Sequence, residues 1–196
     1  AIEDKRFYEH EGVDWIRTFG AVTSLITGQD SYGGSTITQQ LIKNITGDNE
    51  VSLTRKVKEI FRALNLEKEY SKDEILEVYL NVVNFGSGCN GVQAAANLYF
   101  GKDIQDCNLA ECAAIAGITQ NPYKFTPLLH PDQNQERQQI VLTAMYDQGF
   151  ITKEEYEEAY EQSKHMKFVG KKVEDAVEDI PVWNWYTEML LEDVKE

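Results

Sequence analysis

At Thr36 and Gln39, Ser71 and Glu74, Asn108 and Glu111, and Thr152 and Glu155, a short polar residue is followed three positions later by Glu or Gln. Each pair can satisfy two otherwise orphaned backbone donors at a helix start, so each predicts a helix N-terminus. Apolar residues at helical spacing follow or flank them. Trp15, Ile16, Phe19, Val22, Thr23 and Ile26 predict an apolar helix ending near Gly28, with a Gly-rich loop from Gln29 to Gly34. Leu53, Val57, Ile60, Phe61 and Leu64 predict a helix with a core-facing stripe, and Ile75, Leu76, Val78, Tyr79 and Leu80 the core side of the next. Gly86, Gly88 and Gly91 break the chain before a helix over 92–100, and another runs from Asn108 through Ala116. Pro122 and Pro127 mark a loop, Glu136 to Gln148 is helical with Gly149 as its stop, and the last helix runs to about Lys164. The fold class is mainly α. Residues 165–180 read as a charged linker and 181–194 as a separate aromatic segment with Trp183, Trp185 and Tyr186.

The formal charge of -14 argues against a generic nucleic-acid partner, for which a basic balance is expected. It is unevenly spread: from residue 133 onward 15 acidic residues face 7 basic ones. Between 35 and 62 the balance reverses, with Lys43, Arg55, Lys56, Lys58 and Arg62 against Asp48, Glu50 and Glu59. A basic island in an acidic chain suits an anionic ligand such as a phosphate, although a solvated helix face with i,i+4 pairs explains the same residues. Cys89, Cys107 and Cys112 are too few for a disulfide scaffold, and neither they nor the three His have zinc-site spacing. No run of about 18 apolar residues is present to span a bilayer. The abrupt start at Ile2-Glu3-Asp4 reads as a piece cut from a longer protein, its anchor removed.

Three clusters carry candidate chemistry. Arg55, Glu59 and Arg62 share one face of their helix, joined by Lys56 three residues before Glu59. They form either a structural ion pair or a site where cations neutralise a leaving phosphate. Gly33-Gly34-Ser35-Thr36 places a flexible loop at a helix N-terminus, where free N–H groups attract anions. Gln39, Gln40, Lys43 and Asn44 add amides suited to sugar hydroxyls. Glu3 and Asp4, beside Arg6, Phe7 and His10, offer a carboxylate that an apolar setting would turn into a general base.

In order, the segments Glu3–Asp14, Gly34–Asn44, Arg55–Glu59 and Glu74–Asn81 resemble the four motifs of glycosyltransferase family 51, the peptidoglycan glycosyltransferases. The resemblance covers residues 1–165 and implies a lysozyme-like helical domain, with 166–196 a linker towards an absent transpeptidase of a bifunctional class A penicillin-binding protein. It implies polymerisation of lipid II onto a growing lipid-linked glycan chain, at the extracytoplasmic face of a bacterial cell membrane. Glu3 would be the catalytic base. Lys43, Arg55 and Lys56 would neutralise the pyrophosphate, and Glu59 would position it directly or through a divalent cation, Mg2+ or Mn2+. Asp4, Arg6, Ser35, Thr36, Gln39, Gln40 and Asn44 would complete substrate binding. The resemblance also implies moenomycin as inhibitor and a lipid-dipping role for the helix around 15–26. The family usually has Arg or Lys four residues before the third motif's Arg, where this chain has Val51. In such a compartment Cys89 and Cys112 would pair and leave Cys107 free. A hydrolase or lytic transglycosylase on the same architecture, and a non-catalytic helical binding module, are the rival readings.

Overall fold

The computed structural model describes residues 1–27, 33–47, 50 and 52–170. Val51, most of the Gly-rich loop, and the linker and aromatic segment beyond residue 170 lie outside them. Among the described residues there are eight α-helices, one 3-10 turn (Ile104–Asp106) and no strand. The helices are α1 (Trp15–Thr27), α2 (Ile37–Thr46), α3 (Leu53–Glu69), α4 (Lys72–Val82), α5 (Val92–Phe100), α6 (Leu109–Ile118), α7 (Pro131–Asp147) and α8 (Lys153–Ser163). The described residues divide into two compact units, residues 3–82 and residues 1–2 with 83–170.

The first unit holds α1 to α4. Thr36 and Gln39 form the expected capping box of α2, and Gly47 closes that helix at φ 63°, a conformation glycine adopts without strain. Ser71 accepts from the Glu74 N–H and Glu74 Oε2 accepts from the Ser71 N–H, so α4 starts as its sequence predicts. α2 packs on α3 and α4 around buried Leu41, Ile42, Ala63, Leu66, Ile75, Val78 and Tyr79.

α3 departs from expectation. Three residues of its apolar stripe are outside, with Leu53 87%, Val57 51% and Phe61 63% exposed, while Ile60 and Leu64 are half-buried and Glu59, Ala63 and Leu66 are buried. Spacing located the two faces correctly but not which one turns inward. The inward face is the one met by other elements: the loop at Gly12 lies directly on Ala63, and Lys56 reaches Ser35 before α2. A Cβ at Gly12 would stand 2.5 Å from the Ala63 carbonyl oxygen, and its φ of +81° is glycine's territory. The Gly12 carbonyl in turn accepts from Thr36 Oγ1 at 2.7 Å, joining this loop to the start of α2.

The second unit is built around α6, with Ala110, Ala113, Ala114, Ile115 and Ile118 buried against α7 and α8. Two buried amides lock α7 to it: Asn134 Nδ2 donates to the Ala114 carbonyl at 3.1 Å and Gln138 Nε2 to the Ala110 carbonyl at 2.8 Å. α7 begins at Pro131, ahead of the predicted Glu136, because proline at the first helical position lacks only an N–H that would have no partner there. Residues beyond α8 continue the packing: the Val169 N–H donates to the Tyr99 carbonyl, and Phe168 lies against Phe100. None of the three cysteines is disulfide-bonded, so the expected Cys89–Cys112 pair does not form. Cys89 is fixed in the 85–89 turn by its own backbone, and Cys112 turns its sulfur to the Cys107 carbonyl.

Candidate active site

The site residues belong to the first unit and are organised by α2. Glu3 is half-buried, and its Oε2 accepts from Gln40 Nε2 at 3.3 Å. Its carbonyl oxygen accepts from Arg17 Nη1 at 2.7 Å, and Arg17 also reaches the Gly33 carbonyl at 2.6 Å. Arg17 is the single charged residue of α1. A lone cation on an otherwise apolar helix was the signal that could have singled it out beforehand.

Asp4 is 3% exposed, so it meets no substrate surface. It accepts from the Ile37 N–H at the start of α2, lies 3.0 Å from His10 Nε2, and pairs with Arg17 at 3.6 Å. Burial pushes the Asp4 carboxyl up, but the His10 bond, the Ile37 N–H and the charges of His10 and Arg17 outweigh it and hold the group below its ordinary 3.8. Asp14 behaves alike. Burial raises it, and the Arg6 bond, the Arg17 N–H and the neighbouring charges bring it below the usual range. Arg6 is thus occupied by Asp14, with Nε 3.0 Å from Oδ2.

Thr36 and Gln39, expected to bind substrate, are instead 0% and 1% exposed. The Thr36 N–H donates to Gln39 Oε1, and the Gln39 N–H to Thr36 Oγ1, so both side chains are buried in the capping box rather than presented at the surface. Ser35 fares differently: half-buried, it accepts from Lys56 Nζ at 3.0 Å.

One helical turn beyond Gln40, Lys43 borders a crevice between α2 and α3 whose lining includes Arg55, Lys58, Glu59 and Arg62. Four cations there surround a single carboxylate. Glu59 is 5% exposed, and its two oxygens are taken by Arg55 Nη1 at 2.5 Å and by Lys56 Nζ. It therefore orders the two cations, of which Arg55 lines the crevice and Lys56 also reaches Ser35. Gln40 and Lys43, three residues apart on α2, are neighbours on the helix surface at roughly 5–6 Å between Cβ atoms. Glu3, reached by Gln40, and the cationic crevice, reached by Lys43, thus meet along one stretch of α2. Asn44, beside Lys43, is exposed.

The donor set around Glu59 does not suit a divalent ion. Such ions take several oxygen ligands, and both oxygens of the crevice's one carboxylate already serve cations. No group of three or more His, Cys, Asp or Glu among the described residues is placed to hold a metal.

The family model described as Transglycosylase matches residues 1–146. Penicillin-binding protein 1F of Bacillus subtilis is 47% identical over 79% of this chain and 22% of its own length. Penicillin-binding protein 1A of Clostridium perfringens is 41% identical over 100% of the chain and 30% of its own. Its Escherichia coli namesake is 45% identical over 81% and 19%. The chain thus spans less than a third of the length of these relatives. The crystal structure of penicillin-binding protein 1A from Haemophilus influenzae matches with a TM-score of 0.50 and 32% identity over 69% of this chain and 17% of that one. That likeness carries the mainly α, lysozyme-like fold expected from the sequence. A family model spanning most of the chain, over a site assembled from the motif residues, places this chain in the transglycosylase family.

Proposed function

We propose that this chain is a peptidoglycan glycosyltransferase that polymerises lipid II into β-1,4-linked glycan at a membrane surface. The observation that carries the reading is Glu3 on one side of Gln40 and a four-cation crevice one turn further along α2. Glu3 takes the proton of the acceptor's 4-hydroxyl as that oxygen bonds to C1 of the donor sugar. The bond from C1 to the pyrophosphate oxygen breaks, and its electron pair leaves with the lipid pyrophosphate. Attack opposite the leaving group inverts C1. Lys43, Arg55, Lys58 and Arg62 lower the cost of the charge that develops on that pyrophosphate. A two-carboxylate hydrolase needs its second acid at the scissile bond, whereas Glu59 is enclosed by Arg55 and Lys56.

The membrane surface is supported by exposed apolar side chains on the same unit. Trp15, Ile16 and Phe19 of α1 are 48%, 70% and 66% exposed, and the outward stripe of α3 adds Leu53, Val57 and Phe61. No helix among the described residues is long and apolar enough to cross a bilayer. Lateral docking by these faces suits a substrate whose lipid remains in the bilayer while its pyrophosphate lies against the cations of the crevice. The extracytoplasmic face follows from the same reading, because that is where the glycan is assembled.

The test is polymerisation of lipid II by this chain, with and without moenomycin. The reading expects glycan strands, blocked by the inhibitor. Reducing sugar released from finished peptidoglycan, with no polymer from lipid II, points to the hydrolase instead.

A further inference from the structure

Behind Glu3 runs a hydrogen-bonded chain that the proposed reaction does not use directly. Tyr79, on the inner face of α4, is 3% exposed, and its hydroxyl donates to Gln40 Oε1 at 3.1 Å. The other end of the same amide, Gln40 Nε2, donates to Glu3 Oε2 at 3.3 Å. The orientation of this amide is determined by its surroundings. Reversed, it would set its carbonyl oxygen against the Glu3 carboxylate, an acceptor facing an acceptor. With the NH2 committed to Glu3, the carbonyl needs a donor, and the Tyr79 hydroxyl is that donor.

The phenol stays protonated for this task. Burial pushes Tyr79 well above the ordinary phenol range, and the charges of Glu3 and Asp4 push it further. The tyrosine's ring is a core side chain, buried like Ile75 and Val78 of the same helix. Its hydroxyl is a separate feature, because phenylalanine would fill the same core.

We propose that Tyr79 is a positioning residue of the glycosyl transfer: acting through the Gln40 amide, its hydroxyl fixes the Glu3 carboxylate in the orientation from which it takes the acceptor's proton. The inference rests on Glu3 as the base. It assigns Gln40 to the base rather than to the donor sugar, since both ends of its amide are engaged. A carboxylate held by a donor that is itself held loses little freedom when the acceptor binds. With the hydroxyl gone, the Gln40 amide can turn and the carboxylate samples orientations that miss the proton.

The experiment compares wild type, Tyr79→Phe, Gln40→Met, the double variant and Glu3→Gln in this chain. Lipid II polymerisation is measured alongside the side-chain amide signals of the 15N-labelled protein. Tyr79→Phe should lower kcat about 10-fold with KM within about twofold, because the interaction acts in the transition state and not in substrate binding. The double variant should be no slower than Gln40→Met alone, since the hydroxyl acts only through that amide. The Gln40 amide signals should move in both Tyr79→Phe and Glu3→Gln. Wild-type kcat in Tyr79→Phe, additive losses in the double variant, or unmoved Gln40 signals would each overturn the inference. Full activity in Glu3→Gln would instead remove the base assignment, while the amide signals would still decide whether the relay exists. Should Tyr79→Phe fail to fold, the Gln40→Met kcat and the Gln40 signals in Glu3→Gln decide the matter.

Discussion

Arg17 Nη1 of α1 donates to the carbonyl oxygen of Glu3 at 2.7 Å, so the proposed base is held through its backbone by a side chain from a helix that begins twelve residues later. The same guanidinium binds the Gly33 carbonyl and pairs with buried Asp4. Three acceptors in different directions suit the planar fork of arginine and not the single ammonium of lysine. Arg17→Met should lower polymerisation by about 10- to 100-fold with helix content unchanged, the range expected when a catalytic group is displaced by about 1 Å. Arg17→Lys should recover little of it. Steady-state rates beside circular dichroism check both, and wild-type rates in Arg17→Met would show that the Glu3 backbone needs no such tie.

Glu59 is expected to act by arranging cations. Glu59→Gln removes the charge that Arg55 and Lys56 share and leaves two partly buried cations in mutual repulsion. Losing one partner of a buried pair costs about 3–5 kcal/mol, and the partial exposure of Arg55 and Lys56 lowers the expectation to about 1–2 kcal/mol. Urea denaturation measures the stability, and polymerisation should fall beyond what the unfolded fraction explains. Lys43→Ala and Arg55→Ala should lose activity without unfolding.

The close approach of Gly12 to α3 makes a stability prediction independent of function. In Gly12→Ala the new Cβ meets the Ala63 carbonyl oxygen, and the backbone at φ +81° disfavours any side chain. A loss of about 2 kcal/mol or more is expected, visible as a lowered denaturation midpoint. A wild-type midpoint would mean that the loop lifts away from α3 at no cost.

Much of this architecture was legible in the sequence because it is locally encoded. Thr36 with Gln39, Asn108 with Glu111, and Thr152 with Glu155 form capping boxes with partners three residues away, and no tertiary context is needed to complete them. The direction of α3 was not legible. Its two faces are evident from spacing, but the inward one is set by tertiary contact, with the Gly12 loop lying on Ala63. The resemblance implies Thr36 and Gln39 as substrate-binding residues, whereas both side chains are buried in the start of α2. Arg17 and the hydroxyl of Tyr79 act on Glu3 from 14 residues away and through Gln40, relationships that exist only once the chain has folded.

Exposed Phe19 of α1 and Phe61 of α3 should enter a lipid surface. Phe19→Glu and Phe61→Glu are expected to weaken binding to anionic phospholipid vesicles by about 10-fold or more together, since each exchanges buried apolar area for a charge. Thermal stability should hold, because neither side chain is part of the core. Vesicle co-sedimentation gives the readout, and unchanged binding of the double variant would remove these faces from the membrane account.

Asp4 and Asp14 set an acid limit. Both carboxyls are held below the ordinary 3.8 in the folded protein, so the unfolded chain takes up their protons first. The stability they contribute is complete above about pH 4 and is lost as the pH falls below 3.8 through their folded-state values. Thermal melts between pH 5 and pH 2 should show this loss, and Asp14→Asn should flatten it. An equally steep loss in Asp14→Asn would assign the acid transition to other groups.

The central claim is that Glu3 takes the acceptor's proton, and Glu3→Gln tests it most directly. The amide keeps the shape of the side chain and removes only its capacity as a base. With circular dichroism matching wild type, the variant should make no glycan from lipid II. Glycan made at the wild-type rate by a folded Glu3→Gln chain would contradict the account.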